Sequence, residues 1–122
     1  MNAGQRESRL SDYLGHMLDA LRLARSYTAT QTKEDFLGDT KTQQAVILNI
    51  LIIGEAATKL ANEYPEFVAQ QPAFPWKQIR GMRNRMAHGY FETNLDIVWE
   101  TLQQSLPELE LQILQLLKQA GK

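Results

Sequence analysis

Between Lys77 and Tyr90 the chain reads Lys-Gln-Ile-Arg-Gly-Met-Arg-Asn-Arg-Met-Ala-His-Gly-Tyr, and nowhere else do so many reactive or charged groups crowd together. This stretch holds Lys77, Arg80, Arg83 and Arg85, four of the thirteen basic residues, and one of the two histidines, His88. No Asp or Glu occurs between Glu66 and Glu92, although acids slightly outnumber bases over the chain. A solvated face normally mixes both signs, so this is a local positive field on a nearly neutral protein. An arginine and a histidine at one phosphate are a minimal set for cutting RNA without a metal. Histidine can take a proton from a ribose 2′-hydroxyl or give one to a leaving oxygen near neutral pH. Arginine stays charged and offers a planar fork of donors to phosphate oxygens as negative charge builds. Cleavage by the neighbouring 2′-oxygen restricts such a substrate to RNA.

Spacing argues against a simple version of that site. On an unbroken helix the five residues from Arg83 to His88 turn through about 500°, which leaves the two side chains about 140° apart. The helix must bend or end before His88, for which Gly89 is a natural stop, or a second copy must bring its own histidine to the arginine across a two-fold axis. Asn84, four residues before His88, is placed to orient the imidazole or to bind substrate, and Tyr90 offers a hydroxyl and a stacking ring. The plainer reading stands beside this one: basic residues collect near helix C-termini because the backbone dipole favours them there.

The 122 residues suit one domain, residues 1–122, with a single modest core. Without cysteine there is no disulfide framework, thiolate nucleophile or Cys-based zinc site, and a reducing cytoplasm is the natural setting. His16 and His88 are far apart and no H-x-x-x-H pattern is present, so neither a metal nor another cofactor is expected. The N-terminus is polar and lacks the apolar core of a signal peptide. The longest apolar run, from Ala45 to Ile53, falls short of the roughly 20 residues that span a bilayer, so a soluble protein is expected. A formal charge of −1 argues against a general nucleic-acid coat and leaves room for a small basic site.

The elements that must position these groups are helices. Leu10, Leu14, Met17, Leu21 and Ala24 recur in steps of three and four, predicting a helix over about 9–29, capped by Ser8 or Ser11 and widened by Leu18, Leu23 and Tyr27. His16 falls off this stripe. Lys33–Leu37 reads as one helical turn ended by Gly38. Asp39 or Thr40 caps a second long helix, about 41–62, whose apolar face is Val46, Ile47, Ile50, Ile53, Gly54, Ala57, Leu60 and Ala61. Gly54 costs that helix about 1 kcal/mol relative to Ala, and close approach of another helix is the natural compensation. Glu55 beside it reads either as solvent-facing or as part of a site or interface. Tyr64-Pro65 ends the helix, and an irregular loop with Pro72, Phe74 and Pro75 leads to a third, whose buried stripe is Trp76, Ile79, Met82 and Met86. Thr93 with Asp96 resembles a capping box for a fourth helix, and Pro107 divides that from a fifth. No strand alternation appears, and the expected fold is an all-α antiparallel bundle of four to five helices.

The block Arg83-Asn84-Arg85-Met86-Ala87-His88-Gly89-Tyr90 is similar to the R-x4-H-x-Y pattern of the HepT-like toxins, members of the HEPN (higher eukaryotes and prokaryotes nucleotide-binding) superfamily of helical domains. The resemblance extends over essentially the whole chain, including Ile53-Gly54-Glu55-Ala56-Ala57 and the Trp76–Tyr90 block. It implies a HEPN-like bundle and a metal-independent endoribonuclease acting as a homodimer, with the motif lining a cleft between subunits. It implies a type VII-like toxin–antitoxin pair whose partner, a nucleotidyltransferase of the MntA type, transfers AMP to the motif tyrosine. Arg83 and His88 carry over as catalytic, Asn84 as supporting and Tyr90 as the regulatory position. Added phosphates at Tyr90 would occupy the anion site and repel RNA. Lys77, Arg80 and Arg85 are expected from charge to contact RNA. The alternative is a non-catalytic helical module that binds a nucleotide or a partner with the same residues.

Overall fold

The structure is a computed structural model that describes residues 3–89 and 94–121. Its helices are α1 (Ala3–Tyr27), α2 (Lys33–Leu37), α3 (Thr40–Glu63), α4 (Pro65–Ala69), α5 (Trp76–His88), α6 (Leu95–Glu100) and α7 (Leu106–Ala120). Among the described residues every regular element is helical, so the fold is the all-α bundle expected. α1 packs along α3 and α7, and α5 lies against α3.

The stripe Leu10, Leu14, Met17, Leu21 and Ala24 is buried along α1, facing Val46, Ile50, Ile53, Ala57 and Leu60 of α3. α1 begins earlier than expected. Ser8 and Ser11 lie inside it and neither caps it, because the helix-favouring Gln5, Arg6 and Glu7 extend it backwards. Its end is also corrected: the helix stops at Tyr27, and Leu23 and Tyr27 are exposed, leaving the widened stripe to Leu18 alone.

Asp39 caps α3 as one of the two candidates, its carboxylate accepting from the Thr42 N–H (3.1 Å) and hydroxyl (2.6 Å). Those two bonds, with a third from the Gln31 amide, hold the Asp39 carboxyl below its ordinary range. Within α2 the turn is closed by a capping box, Thr32 and Asp35 each bonding the other's backbone N–H. α3 is the one described helix long and apolar enough to cross a membrane, with a mean hydropathy of 1.4 over its most apolar stretch, but half of that stretch is buried inside the bundle.

Three further boundaries differ. Pro65 starts the short helix α4 where an irregular segment was expected, since a proline suits the first helical position. Thr93 lies outside the described residues, and the side chain that caps α6 is Asn94, which accepts from the N–H groups of Asp96 (2.9 Å) and Ile97 (3.3 Å). Pro107 does not divide two helices. A π-helical turn, Thr101–Ser105, joins α6 directly to α7, and the Leu106 N–H reaches back five residues to the Thr101 carbonyl. Widening the helix there accommodates a residue that has no N–H and whose ring would strike the preceding turn.

Candidate functional site

α5 is anchored at its start. The Phe74 and Trp76 rings pack with centroids 4.4 Å apart, and the Trp76 indole donates to the Gln71 carbonyl (3.1 Å), so the loop before the helix is tied down as its aromatics suggested. Trp76 and Met86 are buried, while Ile79 and Met82 are half-buried against the core.

α5 approaches α3 closely at Gly54. A methyl group there would overlap the Cβ and Cγ of Arg83, so the stem of that arginine occupies the space that any side chain at position 54 would need. This is the close helix approach expected to compensate for a glycine in mid-helix. Past Gly54, the Arg83 guanidinium meets the next residue of α3, Glu55. Arg83 Nε donates to Glu55 Oε1 at 2.7 Å, a second donor, Nη2, bonds the same oxygen, and Nη1 donates to Asn84 Oδ1 at 2.9 Å. Arginine carries five N–H donors in a rigid fork. Three are therefore used to hold the group, and the outer ones remain for an anion. The side chains are 29% exposed for Arg83 and 52% for Glu55, so the fixed guanidinium stands at the surface.

Glu55 faces solvent and is also in contact with Arg83, so the two readings left open for it are compatible. Of the two roles expected for Asn84, orienting the imidazole is not seen within one chain: its oxygen accepts from Arg83, and no bond joins it to His88.

His88 is the last residue of α5, exposed, and no described residue bonds its imidazole. The helix does not bend or end before His88: it runs through it, and the Gly89 N–H bonds the Arg85 carbonyl at 2.8 Å. A Cβ at Gly89 would sit against that carbonyl, which accounts for glycine as the stop without any left-handed conformation. Arg83 and His88 of one chain therefore remain about 7.5 Å apart along the axis and about 140° apart around it.

Lys77, Arg80 and Arg83 follow one another at three-residue steps along α5, a basic track with Lys77 and Arg80 exposed. Arg85 is turned away from that track. Its guanidinium lies 4.0 Å from the Met82 sulfur, and with Met86, Asn94 and Ile97 it lines a hollow of about 230 Å³ between α5 and α6. Tyr90 lies outside the described residues. His16 is exposed on α1 and takes no part in the site. Among the described residues no three His, Asp or Glu side chains are grouped to hold a metal ion. The residue that sequence reasoning did not commit to is Glu55, and the signal available was an acid directly beside a glycine in an apolar helix.

The sequence family described as "Ribonuclease HepT-like" matches residues 17–116, which include α3, α5 and the whole Arg83–His88 segment. The chain is similar to a protein of Thermococcus cleftensis named "Probable ribonuclease HepT", with 35% identity over 81% of this chain and 87% of that protein. It is 36% identical, over 87% of this chain and 92% of the relative, to a Caldanaerobacter subterraneus protein whose name proposes an RNase. A longer Methanocaldococcus jannaschii protein, whose name joins a gamma-glutamylcyclotransferase to a proposed RNase, is 34% identical over 90% of this chain and 48% of its own length. No solved structure matches the chain. The chain belongs to the ribonuclease HepT-like family.

Proposed function

We propose that this member of the ribonuclease HepT-like family is a metal-independent endoribonuclease that cuts RNA by attack of a ribose 2′-hydroxyl on the adjacent phosphate. The observation that carries this reading is the Arg83 guanidinium, held at the surface by Glu55 and Asn84 with its outer donors free, on a helix that ends in His88. The phosphate sits on Arg83, whose fixed charge stabilises the negative charge that builds as the bonds exchange, and whose orientation is set before substrate arrives. His88 moves a proton at the reacting oxygens. Lys77 and Arg80 guide the RNA backbone along α5, and Arg85 contacts the strand from the other side of the helix.

The working unit is a homodimer. Leu48 (57% exposed), Ile52 (38% exposed) and Glu55 fall on one face of α3 at helical spacing, an apolar strip leading to the site that a second copy would cover. Such a dimer brings one chain's His88 toward the other's Arg83, the arrangement that the spacing within one chain requires. The protein acts in the cytoplasm as the toxin of a pair. Its antitoxin, an MntA-type nucleotidyltransferase, transfers AMP to Tyr90 and blocks the anion site. Mass spectrometry after co-expression with such a partner tests this last step, and AMP absent from Tyr90 removes it.

Purified protein incubated with total RNA and EDTA tests the enzyme. Cleavage that persists in EDTA and vanishes in His88→Ala supports it, and cleavage no greater than that of the mutant sinks it. The separation of Arg83 from His88 within one chain favours a second reading, a non-catalytic module that holds a nucleotide or partner phosphate. RNA or nucleotide binding that survives His88→Ala, without cleavage by the wild type, would support it.

A further inference from the structure

We propose that Glu55 is the general base of the cleavage, taking the proton from the 2′-hydroxyl, while His88 supplies the proton to the leaving 5′-oxygen. The inference deepens the ribonuclease reading above and rests on it.

Internal transesterification of RNA needs two proton transfers, one off the attacking oxygen and one onto the departing oxygen, on opposite sides of the phosphorus. One imidazole in one protonation state serves one of them at a time. The other group must stand beside the phosphate site, and among the described residues Glu55 is the titratable side chain in contact with Arg83. Its two oxygens are unlike. Oε1 takes both Arg83 bonds, while Oε2 receives none from any described residue and belongs to a side chain that is 52% exposed. The unbonded oxygen has lone pairs with which to accept a proton. A phosphate bound to the outer donors of Arg83 lies next to that free oxygen. The attacking 2′-oxygen must itself come within about 3–3.5 Å of the phosphorus, which puts it within reach of the same carboxylate. Gly54 makes the juxtaposition possible: with any side chain at that position Arg83 could not pass over α3 to reach Glu55.

The step balances within the chain. The 2′-O–H bond breaks and its proton passes to Glu55 Oε2, the 2′-O–P bond forms, and the P–5′-O bond breaks. The His88 imidazolium gives its proton to the 5′-oxygen. The products are a 2′,3′-cyclic phosphate and a free 5′-hydroxyl, and Glu55 and His88 then exchange protons with water.

Glu55→Gln tests this, because the amide keeps an oxygen for Arg83 but has no basicity. Two substrates are used, a short oligoribonucleotide and a ribonucleoside 3′-phosphate ester of 4-nitrophenol, whose leaving group departs without an acid. For a general base the expected result is a fall in kcat of about 10²–10⁴-fold on both substrates, KM little changed, and loss of the acid limb of the pH–rate profile. His88→Ala should fail on the oligoribonucleotide and recover on the nitrophenyl ester. A Glu55→Gln protein that cuts RNA at the wild-type rate overturns the proposal. So does one that is slowed but keeps the acid limb, which would make Glu55 a positioning residue for Arg83. If wild type and His88→Ala cut RNA alike, the ribonuclease reading itself fails. If wild type cuts, His88→Ala does not and Glu55→Gln does, the assignment of the base alone fails.

Discussion

Two of the arginine–glutamate clusters among the described residues are built from the same groups and bonded differently. Between α1 and α7, Arg22 Nε donates to Glu110 Oε2 (3.0 Å) and Arg25 Nη1 to Glu110 Oε1 (2.7 Å), so both carboxylate oxygens are bonded and the side chain is only 20% exposed. The hydrogen bond from Arg22, joined by that from Arg25, holds the Glu110 carboxyl below its ordinary range. Between α3 and α5 a single arginine places two bonds on one oxygen of Glu55, leaving the other oxygen and the outer guanidinium donors without a bond from any described residue. In the first cluster the carboxylate is saturated and the group joins two helices. In the second, one carboxylate oxygen is left without a bond beside the unused donors of Arg83, the arrangement that the proposed proton transfer at a bound phosphate requires. Residue type therefore says little about how an ion pair is bonded; whether the carboxylate keeps an unused oxygen says more.

The largest effect that would break this contrast is on activity. Arg83→Ala should lower kcat/KM for RNA cleavage by about 10²–10³-fold, the usual loss when a preorganised charge donor is removed. Arg25→Ala, in the cluster whose carboxylate is saturated, should cut RNA at the wild-type rate. Equal losses in a steady-state cleavage assay would show that the two clusters do not differ in function. Next in size is Gly54→Ala. The overlap with Arg83 should cost about 1–3 kcal/mol, offset in part by about 1 kcal/mol of helix propensity, and cleavage should fall with it as Arg83 is displaced. Urea denaturation measures the first effect, and a stabilised variant would mean that α5 does not press on Gly54.

The smallest effect concerns pH. Because folding lowers the Glu110 pKa, its contribution to stability is fully present above the unfolded carboxyl's pKa and is lost as the pH falls through the folded value. The denaturation midpoint of Glu110→Gln should therefore change less than that of the wild type between about pH 5 and pH 3. Matching acid limbs would show that the Arg22–Glu110–Arg25 cluster is open in solution.

Much of the fold was legible because helical periodicity is a local property. The α1 and α3 stripes, the Asp39 cap, the α2 turn and the anchored start of α5 all depend on residues three or four apart or on a single capping side chain. The misreadings were also local, but in places where two local signals compete. Ser8 and Ser11 look like caps, yet good helix formers precede them. Pro107 looks like a break, yet a π turn absorbs it at the cost of one extra residue. At the site, the basic segment and the end of its helix at Gly89 were readable, and the partner of Asn84 was not.

The sequence by itself determined an all-helical chain, a glycine awaiting a close neighbour on α3, and an arginine and a histidine too far apart on one helix to act together unaided. Tertiary structure alone decided that the close neighbour of Gly54 is Arg83, and that Glu55, 28 residues away in the chain, receives its guanidinium. The division has a physical cause. A helix is specified by contacts within a turn or two, which the order of residues displays. Which faces of two helices meet depends on how all the buried side chains pack at once, and no short segment carries that information.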